Sequence, residues 1–430
     1  MDDLKSLISQ YYSETSIEDI SSIISSSIEE EIKEVDELDP RVNDAPVVKM
    51  LNSILVQAIN DHASDIHFEP FEEEFKIRYR IDGTLYEMIP PPRQLAESVL
   101  SRIKVMARMN IAERRVPQDG RISLNMKNRT VDLRVSTLPT AFGESAVLRI
   151  LDRSYISLDI EKLGFTRQML NNIKEIIQKP NGIFITTGPT GAGKTTTLYS
   201  CLREINKLDT KIITTEDPVE YDIEGLIQVP INEAIGLTFA SCLRAMLRQD
   251  PNKIMVGEIR DLETMNIAIQ ASLTGHLVLS TLHTNDSSSA ITRLIDMGVE
   301  PFLLCSSLEA VLAQRLVRKL CPGCKTPFTP TEAMLKLISL TPKDIGNKPF
   351  YIGKGCDECG GIGYKGRIGI YELLIIDNEI RNLIMEKATA KMIKDIAKKK
   401  GLLTLLEDGI QKVESGITTV EEVGACAMEG

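Results

Sequence analysis

"GIFITTGPTGAGKTTTLYSCLREIN", residues 182–206, decides the fold of this 430-residue chain. Its first six residues are an apolar run that reads as a buried strand, and the segment from Lys194 onward reads as a helix. Between them "GPTGAGKT", residues 188–195, satisfies the phosphate-loop pattern in the strand-loop-helix setting that gives the pattern its meaning. Gly188, Gly191 and Gly193 let backbone N–H groups turn inward around phosphate, with Pro189, Thr190 and Ala192 completing the loop. Lys194 offers a cation to the outer phosphates, Thr195 offers a hydroxyl to Mg²⁺, and Thr196 follows in the first helical turn. The expected ligands are ATP and Mg²⁺.

Outward from the loop, strand and helix patterns alternate: "KIITTED", "FASCLRAMLRQD", "KIMVG", "LETMNIAIQASL", "HLVLSTLH". That alternation predicts a doubly wound, mostly parallel sheet, whose ligands bind at the C-terminal strand ends. Two acidic clusters fall there. "TTEDPVE" places Glu216 and Asp217 at one strand end, and "IMVGEIRD" places Glu258 at another. Gly257 stands where many phosphate-loop enzymes carry the magnesium-ordering Asp, so Glu258 takes over much of that work. In "TGHLVLSTLHTND", residues 274–286, His283 lies at the strand end facing the nucleotide and reads as a γ-phosphate contact. His276 lies at the far end and reads as structural, and of the other two histidines His67 reads as domain packing and His62 carries no signal.

Before this core, "NDAPVVKMLNSILVQAIN" predicts a helix, with Asp44 as cap, Pro46 in the first turn and Val47, Leu51, Ile54, Leu55 and Ala58 as an apolar stripe. "FKIRYRIDGTLYEMI" alternates on both sides of Asp82-Gly83, a hairpin signal, and "RISLNMKNRTVDLRVSTLP" predicts a second hairpin with "SAVLRIL" as another strand. Residues 46 to about 155 therefore read as a small α+β domain with a largely antiparallel sheet. Arg134 and Arg149 lie on its strands and are candidates to meet charge on transferred phosphate; Arg121 is a weaker one. Arg244, Arg248 and Arg260 in the core either tie catalytic elements and subunit contacts together or form surface ion pairs.

The net charge of −11 is local. Residues 1–45 hold thirteen Asp or Glu against three Lys or Arg, so the remainder is close to neutral and offers no broad basic surface for nucleic acid. This acidic segment, with Ile17, Ile20, Ile24 and Ile28 on one helical face, is either a partly disordered tail or the remnant of a docking unit. No apolar stretch is long enough to cross a bilayer, and the N-terminus lacks a signal-peptide pattern, so the expected location is the cytoplasm. Of the eight cysteines, "CPGC" at 321–324 and "CDEC" at 356–359 form two CxxC knuckles. Cys321, Cys324, Cys356 and Cys359 together suit a structural Zn²⁺, while Cys201, Cys242, Cys305 and Cys426 read as ordinary small residues.

The blocks "ASDIHFEP", "RYRIDGTLYE", "RRVPQDGRIS", "DLRVSTLPT", "TGPTGAGKTTTLY", "EDPVE", "LRQDPN", "GEIRD" and "TGHLVLSTLHTND" resemble the signature blocks of the type II secretion and type IV pilus assembly ATPases. The resemblance runs from about residue 44 almost to the end. It implies that "EDPVE" is an Asp box, "IMVGEIRD" a variant Walker B in which Gly257 is a family trait, and the stretch holding His283 a His box. It also implies two small-domain arginines over the nucleotide, a hexameric ring, and a tetracysteine module that pilus retraction ATPases generally lack.

The resulting expectation is an α/β fold: a RecA-like P-loop ATPase core (156–430) carrying a zinc module at about 318–372, preceded by a small α+β domain (46–155) and the acidic segment (1–45). The expected function is a homo-hexameric motor, peripheral at the inner membrane, that hydrolyses ATP to drive pilin or pseudopilin assembly. Its expected partners are the inner-membrane platform and cytoplasmic docking proteins, with no nucleic acid. The rival readings are a nucleic-acid motor on a RecA-like core and a regulatory nucleotide-binding scaffold. Relatives usually carry a fuller N-terminal docking domain, so either that unit is reduced here or the chain is truncated.

Overall fold

The computed structural model describes residues 46–126, 129–151, 158–345 and 348–428. The expected isoleucine face of the acidic segment and the Asp44 cap lie outside the described residues. The chain divides into two compact units, Met1–Ile156 and Ser157–Gly430.

The first unit is a six-stranded sheet: β1 (Ala63–Pro70), β2 (Phe75–Ile81), β3 (Thr84–Glu87), β4 (Gln118–Met126), β5 (Arg129–Thr140) and β6 (Gly143–Leu151). Its spatial order is β3-β2-β1-β6-β5-β4, and every neighbouring pair is antiparallel. The turn between β2 and β3 uses Asp82 and Gly83 at φ of 48° and 89°, the left-handed geometry that the Asp-Gly pair favours. Strand alternation sends Ile66, Phe68, Ile77, Tyr79, Val131, Leu133, Val135, Ala146 and Leu148 into one core. Leu51, Leu55, Ala58 and Ile59 of helix Pro46–Asn60, and Val99, Leu100 and Ile103 of helix Ala96–Met106, complete that core.

The second unit is built on a seven-stranded sheet. Its members are β7 (Gly182–Thr187), β8 (Ile212–Glu216), β9 (Leu226–Pro230), β10 (Lys253–Val256), β11 (Leu277–Leu282), β12 (Leu308–Leu320) and β15 (Tyr364–Ile375). The order is β15-β12-β7-β11-β10-β8-β9, parallel throughout except for the antiparallel β12/β15 edge. β7, β8, β10 and β11 are buried at every residue, as central strands of a two-sided parallel sheet are. Between β12 and β15 lies the tetracysteine insert with its own two-stranded ribbon, β13 (Lys325–Phe328) and β14 (Phe350–Gly353). The fold is thus the expected α/β core with a small preceding domain and an inserted four-cysteine module. β9, β12 and β15, absent from the sequence expectation, extend the sheet by three strands, and β12 lies beside the phosphate loop.

Candidate functional site

Because β7, β8, β10 and β11 run parallel, their C-terminal ends share one edge of the sheet. β7 ends in the phosphate loop, β8 in Glu216, β10 two residues before Glu258, and β11 one residue before His283. The loop closes on Gly193 in the left-handed conformation, which caps helix Lys194–Ile205. A Cβ on Gly188 would fall 2.5 Å from the Gln314 carbonyl oxygen, whereas one on Gly191 would meet nothing within 4 Å. The loop is therefore tightly seated at its base and open at its crest, a cradle that suits phosphate oxygens. Lys194 is 9% exposed, and its Nζ donates to the carbonyls of Gly188 (2.7 Å) and Pro189 (3.0 Å). Burial lowers its pKa to about 8, the Glu258 carboxylate opposing that shift and Arg315 adding to it.

Glu258, Arg260, Asp217 and His283 form one cluster. His283 Nε2 lies 3.3 Å from Glu258 Oε2, Arg260 pairs with Glu258 Oε1, and Arg260 Nη2 reaches Asp217 Oδ2 at 3.7 Å. Glu258 is 18% exposed and His283 51%, so both can reach solvent or ligand. Glu216 differs. Only 3% exposed, it accepts bonds from Tyr199, Thr214 (2.5 Å) and Gln228 (3.1 Å), so its carboxylate is committed to a buried network at the base of the site. Thr195 and Thr196 are half-buried in the first turn of the helix. His276 rests against the Ala271 carbonyl at 3.0 Å, away from this edge. Of the other core arginines, Arg244 pairs with Glu263 on the exposed surface, and Arg248 donates to the Arg244 carbonyl.

In the small unit, Arg121, Arg134 and Arg149 stand opposite one another on β4, β5 and β6. The row continues through Asp65 on β1 to Arg80 on β2. By strand alternation it occupies the sheet face opposite the two packed helices.

Sequence reasoning missed Asp65, Arg80, Gln314 and Arg315. Gln314 is 1% exposed and donates from Nε2 to the Ala192 carbonyl at 2.6 Å; Arg315 is 3% exposed and donates to the Gln314 and Asn285 carbonyls, each at 3.1 Å. Both lie on β12, the strand that sequence reasoning did not identify. Asp65 was legible as the outward residue in the alternating "ASDIHFEP".

In the insert, the sulfurs of Cys321, Cys324, Cys356 and Cys359 all lie within 4.8 Å of one another. Cys321 and Cys356 are 3.7 Å apart, Cys324 and Cys359 3.8 Å, and Cys356 and Cys359 3.7 Å. Zn–S bonds of about 2.3 Å in a tetrahedron set sulfurs about 3.8 Å apart, so the four residues fit Zn²⁺. Backbone N–H groups of Cys356 and Gly363 point at Cys359 Sγ from 3.3 and 3.2 Å, as knuckle amides do toward a thiolate.

A family model described as type II/IV secretion system protein matches residues 41–425. The type IV pilus assembly ATPase PilB of Myxococcus xanthus (strain DK1622) is 48% identical over 427 residues, covering 98% of this chain and 75% of that protein. The type II secretion system protein E of Aeromonas hydrophila is 51% identical over 403 residues, covering 92% and 79% respectively. Among solved structures, the pilus retraction motor PilT with bound ADP aligns with a TM-score of 0.58 at 26% identity, over 87% of this chain and 95% of that one.

Proposed function

The chain belongs to the type II/IV secretion system protein family, and from that premise we propose that it is a motor ATPase that converts ATP to ADP and phosphate to drive pilin or pseudopilin assembly. The observation that carries this reading is the meeting of Lys194, Glu258 and His283 at one sheet edge beside an open phosphate cradle.

In the proposed mechanism, loop N–H groups and the N-terminus of helix Lys194–Ile205 hold the phosphates, and Lys194 leaves the loop carbonyls to pair with the outer ones. Mg²⁺, held at the Thr195 hydroxyl, would neutralise charge on the same phosphates. Glu258 orients the attacking water and draws its proton, and His283 contacts the γ-phosphate from the neighbouring strand end. Glu216 braces β8 through Tyr199 and Gln228. Arg134 and Arg149 meet the charge that develops on the transferred group. The four cysteines would hold a structural zinc, which would brace the insert and take no part in the chemistry.

The protein works as a homo-hexamer at the cytoplasmic face of the inner membrane, against a membrane platform and cytoplasmic docking proteins. Among the described residues no helix is long and apolar enough to cross a membrane, and the matched relatives belong by name to secretion and pilus machines. These relatives do not favour a nucleic-acid motor. The test is Glu258→Gln. The amide keeps shape but loses the carboxylate, so ATP binding should stay within about threefold while turnover falls by about 10²-fold or more. Near-parental phosphate release from a folded Glu258→Gln protein would remove Glu258 from the mechanism.

A further inference from the structure

The loop leaving β11 is fastened residue by residue to four different elements. The Thr284 N–H donates to Thr187 Oγ1, at the end of β7, at 2.8 Å. The Asn285 carbonyl accepts from Arg315 of β12 at 3.1 Å. Asp286 Oδ2 accepts from Lys394 Nζ, on helix Ala390–Lys399, at 3.0 Å. Ser287 donates to Glu372 Oε1 of β15 twice, from its N–H at 3.0 Å and its hydroxyl at 2.6 Å. Lys394 Nζ also stands 3.4 Å from Glu372 Oε2, so one lysine joins two carboxylates.

Glu372 is fully buried, and an apolar residue at that position would escape the desolvation penalty of a carboxylate. Asp286 already has a local task, capping helix Ser287–Asp296 through the Ser289 N–H at 2.7 Å, which requires no lysine. The Lys394 link therefore adds something beyond helix formation. What it adds follows from His283: that side chain is half-exposed and touches Glu258 only at 3.3 Å, so its placement is set chiefly by the backbone three residues before Asp286.

We propose that Lys394, acting through Asp286 and Glu372, is a positioning residue that holds the His283 loop in register with Glu258. This links the C-terminal helices to the phosphate-sensing end of β11. The proposal rests on the reading of His283 as a γ-phosphate contact.

The test is steady-state ATPase of the full chain for Lys394→Met, Lys394→Arg and Asp286→Ser, each also made in a His283→Ala background. Asp286→Ser keeps a capping oxygen while removing the charge. Lys394→Met and Asp286→Ser should each lower kcat by about 3- to 30-fold, with KM for ATP within about twofold, because neither touches the P-loop N–H groups or Lys194 that hold the phosphates. Lys394→Arg should restore most of the rate. In the His283→Ala background, Lys394→Met should cost nothing further, since the contact it positions is gone. Parental kcat in both folded variants, or a loss undiminished without His283, would overturn the proposal. Parental kcat in His283→Ala alone would instead overturn the reading of His283 on which it rests.

Discussion

Arg149 donates from Nε to Asp65 Oδ1 at 2.9 Å across β6 and β1, within a cross-strand row that also holds Arg80, Arg134 and Arg121. Arg80 approaches the other Asp65 oxygen at 3.7 Å, while Arg121 and Arg134 continue the row on β4 and β5. Setting Arg121, Arg134 and Arg149 side by side concentrates positive charge on one face of the small sheet, a surface suited to an anion.

Arg134→Ala and Arg149→Ala should both leave the small unit folded, because each side chain lies on the sheet face opposite its packed helices. Arg149→Ala should still cost some stability, because Asp65, 7% exposed, loses its nearer cation. Both should lower turnover without weakening ATP binding to the second unit. A cationic finger is worth about 10³-fold or more in phosphate-loop hydrolases, and sharing between two arginines makes each single loss smaller. Phosphate release per chain, measured against protein concentration, should rise as rings form in the parent and stay flat in the double variant. A double variant that still rises with concentration removes these arginines from the site.

Metal analysis of protein purified without chelator should find about one zinc per chain. The module is anchored at its base by Arg318, which grips Glu422 at 2.6 Å and covers the Tyr364 ring at 4.2 Å. Stripping the metal should thus unfold residues of the insert locally while nucleotide binding survives, because β7 pairs with β12 over Leu308–Ala313, well before the insert begins at Cys321. Hydrogen exchange with and without chelator resolves this. Global unfolding on chelation would show that the zinc supports the whole unit.

The P-loop makes a steric prediction. Gly188→Ala would push Cβ to 2.5 Å from the Gln314 carbonyl oxygen, and backbone in a central strand cannot yield cheaply. It should destabilise the protein by about 1–3 kcal/mol and weaken ATP binding. Gly191→Ala meets no neighbour within 4 Å, so its cost is confined to the strained φ of 79°. Thermal melts of the two variants should separate clearly, and equal melts would show that the loop moves freely off β12.

What could be read from sequence follows from how local each signal is. β7, β8, β10 and β11 announce themselves because strands buried on both faces are rich in Ile, Leu, Val and Thr and lack the alternation of a half-exposed strand. The phosphate loop and the cysteine knuckles carry their chemistry in fixed spacings. β12 does not, because "LEAVLAQRLVRKL" is rich in Leu, Ala, Gln and Arg, residues that suit a helix, and only pairing between β7 and β15 makes it a strand. Gln314 and Arg315 were hidden with it. The Asp286, Glu372 and Lys394 network spans 108 residues of sequence and leaves no local pattern at all. The arginine row was half visible, since alternation marks the outward residues of each strand, but the register that aligns Asp65 with Arg149 is a property of pairing.

Lys194 supplies a test with a defined sign. Burial depresses its pKa to about 8, against 10.5 for a free lysine. Between those values the unfolded chain binds more protons than the folded one. The contribution of this group to the stability of the nucleotide-free protein therefore rises with pH from about 8 to 10.5, where the cost of a buried ammonium is relieved. ATP binding has the opposite slope. A triphosphate beside Lys194 favours the ammonium form, so above about pH 8 binding must draw a proton from solution. ATP affinity should be flat from pH 6.5 to 7.5 and then fall by up to about tenfold per pH unit. Calorimetry near pH 9 in buffers of different ionisation enthalpy should register uptake on the order of one proton. Lys194→Arg keeps its charge at every pH used, so its affinity should be weaker but level. A parental profile that stays level to pH 9.5, with no proton uptake, would mean that Lys194 does not carry the phosphate contact assigned to it.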